Sequence, residues 1–142
     1  MMRQLPSCFL VLLTAALALA QDGPTMEQVI RSPGDYAAKT FTFPGAMLSG
    51  NITTYDVAGV RKYYLVVGSR RGALEAGFFL APPALADKLF IRMDRRENYR
   101  VNLTCKIERL VINEVPQWHG IVGRVDFLDG EGMVTDTVKI GK

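Results

Sequence analysis

One helical stripe set among alternating segments constrains this chain more than any other feature of its sequence. After Pro82-Pro83, residues Leu85, Leu89 and Met93 recur four apart with Ala86 and Phe90 beside them, the spacing of one buried helix face. On either side of that stripe the period is two. Val101, Leu103, Cys105 and Ile107 fall on one strand face, with Asn102, Thr104 and Lys106 on the other. Phe41-Thr42-Phe43 begins a first strand that passes Pro44-Gly45 and continues through Met47 and Leu48. Proline and glycine together inside such a pattern predict a bulge or an edge. Val60 to Val67 and Ala76 to Leu80 supply a second and a third strand, Tyr99 to Val111 and His119 to Leu128 a fourth and a fifth. Val134 to Ile140 reads as a terminal strand, and residues 49–59 and 68–72 as loops. At the start, Thr25-Met26-Glu27-Gln28 has the form of a capping box for a short helix that Ser32-Pro33-Gly34 stops.

The first 20 residues stand apart from this order. Arg3 precedes an apolar run from Phe9 to Ala20 that ends in Ala18-Leu19-Ala20, just before polar Gln21-Asp22. That is the pattern of a secretory signal peptide cleaved after Ala20. The run is shorter than the about 20 apolar residues that span a bilayer, and Cys8 precedes it, which does not suit lipid attachment. The reading therefore expects residues 1–20 to be a signal peptide, residues 21–142 a single domain, and the mature protein to be periplasmic or secreted without a transmembrane segment. Composition must be recounted on that basis. The whole chain has 17 basic and 14 acidic side chains; without residues 1–20 it keeps 16 against 14. So mild an excess favours solubility and does not by itself announce nucleic-acid binding. Cys105 is left without a partner cysteine, and on an apolar strand face it reads as a small buried hydrophobe.

Little in the chain suggests catalysis. His119 is the only histidine, and Ser32, Ser49 and Ser69 stand in turn contexts without a nucleophile-elbow signature. Asp126 to Glu131 lacks the alternating oxygen ligands of a calcium loop, and the glycines form no phosphate-binding motif. No enzyme, metal or cofactor is expected; an enzyme using His119 is the least favoured alternative. The sequons at Asn51 and Asn102 are expected to be unused.

The strand order, with a helix between the third and fourth strands and a short leading helix, predicts a mainly β fold, a small barrel of five to six strands. Tyr36 to Gly45, with its charged turn, apolar alternation and strand-one glycine, resembles small bacterial oligonucleotide/oligosaccharide-binding (OB) domains of the anticodon-binding-like type. Val101 to Ile107, after the helix, carries the same resemblance, which spans roughly residues 35–128. Pro44 directly before the glycine departs from it, and a different small β barrel or an open sandwich is the rival fold. The resemblance implies a ligand on the outer face of the second and third strands, flanked by the loops joining strands 1–2 and 4–5. On that basis Tyr55, Lys62, Tyr64, Arg70, Arg71, Phe79, Trp118 and His119 are the candidate binding residues, aromatics among cations being what stacking needs. The rival role for the aromatics is packing. Expected partners are an unknown protein or a small polymeric ligand, a protein being met by the edge of the first or terminal strand. Single-stranded nucleic acid or an anionic glycan is the alternative, export disfavouring the nucleic acid.

Overall fold

The computed structural model describes residues 23–69 and 74–141; the expected signal peptide, Arg70 and Arg71 lie outside the described residues. Helix α1 (Met26–Arg31) opens as the capping box requires: Thr25 Oγ1 accepts from the Gln28 amide, and Gln28 Oε1 accepts from the Thr25 amide. A 3-10 turn (Pro33–Tyr36) follows. Strands β1 (Thr40–Ser49), β2 (Thr53–Val57), β3 (Val60–Gly68) and β4 (Leu74–Ala81) precede helix α2 (Pro83–Arg92). Strands β5 (Asn98–Ile112), β6 (Val115–Leu128) and β7 (Val134–Lys139) complete the chain.

The strands form one seven-stranded mixed sheet in the order β1-β5-β6-β4-β3-β2, with β7 on β6 and a further β1–β3 pairing. That last pairing closes β1, β5, β6, β4 and β3 into a ring, and β4–β6 is its one parallel contact. Inside lies the core. Leu65, Val67, Phe79, Leu103, Ile107 and Val122 point inward, while Leu85 and Leu89 from α2 and Met26 and Val29 from α1 pack against them. Val101, Leu103, Cys105 and Ile107 are all buried, as their alternation predicts.

The first strand bends where expected. Pairing of β1 with β5 shifts register between Phe43 and Ala46, and Gly45 takes a φ of +67°. Side chains from β5 meet the disturbed backbone there: Asn102 Oδ1 accepts from the Gly45 amide (3.1 Å) and Arg100 donates to its carbonyl (2.8 Å). Among the described residues the strand is an edge only before the bend: β5 pairs with it from Thr40 to Ser49, and β3 joins its other side at Met47 and Leu48.

Two expected loops are strands. Within residues 49–59, β2 pairs with β3 through Ala58-Gly59, both at positive φ. This is the two-residue hairpin geometry that matches strand twist. At the other hairpin, β6 begins at Val115 and not at His119, because Asn113 and Glu114 alone make the turn. Ile112↔Val115 is then the closing hydrogen-bonded pair, so the nitrogen of Pro116 points away from β5 and the missing N–H costs no ladder bond.

Candidate functional site

Strand register decides which side chains share the outer face. Tyr55 is opposite Lys62, Thr53 opposite Tyr64, Tyr64 opposite Leu80, and Leu80 opposite Ile121. With a period of two, His119 joins the same face. A row of rings results. Tyr55 and Tyr64 meet edge to face at 5.6 Å between centroids, and Tyr64 reaches His119 at 6.2 Å; beyond His119, at 6.5 Å, the Phe78 ring turns to the core beside Phe79. Beside the row lies a depression of about 370 Å3 lined by Thr53, Tyr55, Tyr64, Ala76, Gly77 and Gln117. Gly77 has a φ of +92°, which suits glycine, and an added Cβ there would meet nothing within 4 Å.

His119 is buried at one end of this row. Its Nδ1–H donates to the Phe78 carbonyl (3.0 Å), and Nε2 stands 3.2 Å from Gln117 Oε1; with Nδ1 carrying the proton of a neutral ring, that contact becomes a hydrogen bond once the Gln117 amide is turned end for end to present its NH2 group. Burial pushes the imidazole below its ordinary range. The Phe78 carbonyl opposes that shift, and the Lys62 ammonium adds to it. His119 is therefore a neutral ring with both nitrogens engaged. Lys62 forms no ion pair among the described residues, whereas Lys106 and Glu108 on the far strand pair at 3.4 Å. The face thus offers ring surfaces, hydroxyls, one amide and one cation.

The sequence-derived candidates divide on this geometry. Tyr55, Lys62, Tyr64 and His119 are brought together, and Arg70 and Arg71 lie outside the described residues. Phe79 is fully buried in the core, pointing opposite to the face. Its neighbour Phe78 does not part from it: the two rings meet edge to face at 5.0 Å between centroids, and Phe78 packs, half-buried, against the core as well. Trp118 also leaves the group. It shares the inward side with Gly120 and packs beneath the 3-10 turn, where a Cβ on Gly34 would sit 3.6 Å from its ring. Because Trp118 stands in β6 and not in a loop, alternation separates it from His119. Gln117 and Gly77 were not singled out from sequence, and only the β6 register and the positive φ reveal them.

Among the described residues no group of three or more His, Cys, Asp and Glu gathers to hold a metal, and no helix is long and apolar enough to cross a membrane. Burial pushes the Cys105 thiol up to about 12, leaving it protonated at neutral pH. In comparisons with known proteins, no family model, curated protein or solved structure matches this chain.

Proposed function

We propose that this is an exported, non-enzymatic OB-type binding domain whose ligand lies across the outer face of β2, β3, β4 and β6. One observation carries the reading: the row Tyr55–Tyr64–His119 beside a depression of about 370 Å3, a volume within the range of ligand sites. The OB assignment is supported by the five-strand ring, its one parallel contact, and a helix between β4 and β5. If β2 and β3 together stand for the second OB strand, β4 is the third, and the row falls where such domains take ligands. Aromatic faces with few fixed charges suit a polymer with flat repeating units. A non-enzymatic role is supported by His119, whose Nδ1 ties β6 to the Phe78 carbonyl of β4 and whose Nε2 faces the Gln117 side chain on its own strand. Export rests on the N-terminal sequence pattern alone.

Lys62 on the same face favours a second reading, single-stranded nucleic acid or an anionic glycan, with Arg70 and Arg71 following β3 in sequence. The two readings separate on salt, because phosphate or carboxylate contacts lose affinity steeply as ionic strength rises. The test is calorimetric titration of the folded domain with a single-stranded oligonucleotide and with neutral and anionic oligosaccharides at low and moderate salt. At least one is expected to bind, and Tyr64→Ala is expected to weaken it by about 5- to 100-fold, the effect of one stacking ring. Absence of binding by all three, or indifference to Tyr64→Ala, would overturn the proposal.

A further inference from the structure

The β2–β3 hairpin has a second face and a free edge that the outer-face ligand does not use. Among the described residues, pairing on β2 comes from β3 alone, so its other side carries main-chain groups that no described strand pairs. The two-residue turn makes Val57↔Val60 the closing hydrogen-bonded pair. Counting back, Tyr55 and Thr53 direct their N–H and C=O groups to β3, whereas Thr54 and Asp56 direct theirs outward. Elsewhere the expected protein-binding edges are partly blocked. β1 is paired on its second side at Met47 and Leu48, and at the end of β7 the Lys88 ammonium donates to the carbonyls of Lys139 (2.9 Å) and, beyond the strand, Gly141 (3.2 Å).

Each face of β2 borders a different depression. Thr53 and Tyr55 line the one beside the ring row, and Thr54 lines another of about 450 Å3 between the hairpin and α2. This second groove has Ile52, Tyr63, Phe90 and Met93 as apolar walls, with Arg61 and Arg95 beside them; none of the described residues lining it is acidic. Arg61 is held by Asp56 at 3.0 Å, while Arg95 makes no ion pair among the described residues. The groove therefore combines apolar walls with an uncompensated guanidinium. We infer that the free edge of β2 receives an extended peptide as an added antiparallel strand, with a glutamate opposite Thr54 reaching toward Arg95 and aromatic neighbours lying on the Tyr55 face. Main-chain pairing with Thr54 and Asp56 supplies affinity, and the two depressions read alternate side chains. Charge complementarity selects the acidic residue. Glutamate also has the aliphatic stem that the apolar walls can cover.

The experiment is an amide-resolved NMR titration of the whole domain with the blocked pentapeptide Thr-Tyr-Glu-Tyr-Thr. Three further arms use its lysine counterpart, the form N-methylated at the glutamate nitrogen, and the Arg95→Glu variant. Saturable shifts are expected at Thr54 and Asp56, weakened about two- to fivefold by glutamate-to-lysine exchange, an exposed ion pair's contribution. Arg95→Glu should reverse that preference. N-methylation should weaken binding by about tenfold, reporting main-chain pairing without altering the protein. Absence of shifts with millimolar glutamate peptide, shifts away from β2, or equal binding of the N-methylated form would overturn the inference. Thr54→Pro, which removes an outward N–H and no β3 bond, is expected to behave as N-methylation does.

Discussion

Two residues on β6 carry consequences out of proportion to their size. Gly120 stands opposite Phe79 at the parallel closure, and a Cβ there would lie 2.9 Å from the Phe79 ring and 3.2 Å from Phe78. Gly120→Ala is therefore expected to cost about 1–3 kcal/mol in urea unfolding, the range for overpacking a filled core. His119, one residue earlier, links burial to pH. Its folded-state affinity for protons is lowered, chiefly by burial, so around and below its ordinary pKa of 6.5 the unfolded chain binds more protons. Its contribution to stability is complete above that value and falls as pH drops through and below it. The urea midpoint of the parent should accordingly decline from pH 7.5 to 5 more steeply than that of His119→Gln; equal slopes would contradict the assignment. Sequence alternation alone assigned Cys105 and its neighbours inward. It expected Phe78 and Phe79 to part onto opposite faces, whereas the two rings meet at 5.0 Å and both pack against the core, next to a glycine at positive φ that disturbs the strand period.

At the scale of elements, α2 is held to β7 by a contact that combines charge and packing. Arg92 donates to Asp136 at 2.6 and 3.1 Å, and its guanidinium lies 4.1 Å from the Phe127 ring centroid. Arg92→Met, which keeps the stem over Phe127, is expected to cost about 0.5–1 kcal/mol, as a half-exposed ion pair does. Arg92→Ala should cost about 1 kcal/mol more through lost packing and cation–π contact, read from the same unfolding curves. The Arg92 guanidinium also holds the Asp136 carboxyl below its usual 3.8. That contribution is present above pH 3.8 and is lost as pH falls through the lower folded value, a window separate from that of His119. The helix itself was legible because Leu85 and Leu89 mark a single buried stripe. β2 was not, for the opposite reason. An edge strand exposed on both faces shows no burial alternation, and Asp56 with Ala58-Gly59 reads as loop chemistry until the hairpin partner is known.

For the whole molecule, two short contacts close the ring: Met47↔Gly68 and Leu48↔Val67 between β1 and β3, and Phe79↔Gly120 and Leu80↔Ile121 between β4 and β6. Both join segments far apart in the chain, and neither leaves a local sequence signature beyond a glycine in each. Apart from β2, the order of elements along the chain was readable from the sequence, and the closure that aligns Tyr64 with His119 was not. That alignment turns scattered aromatics into a single row, and it also removes Trp118 and Phe79 from it. The row is the centre of the functional account, so the most direct measurement is amide-resolved NMR mapping of whichever oligosaccharide or oligonucleotide binds. The account predicts saturable shifts concentrated at Lys62, Tyr64, Ala76, Gly77, Gln117 and His119, abolished or strongly weakened in Tyr64→Ala and unchanged in Met133→Ala, a substitution of an exposed residue before β7. Shifts centred on β7, on the exposed side of α2, or around Trp118 would contradict it.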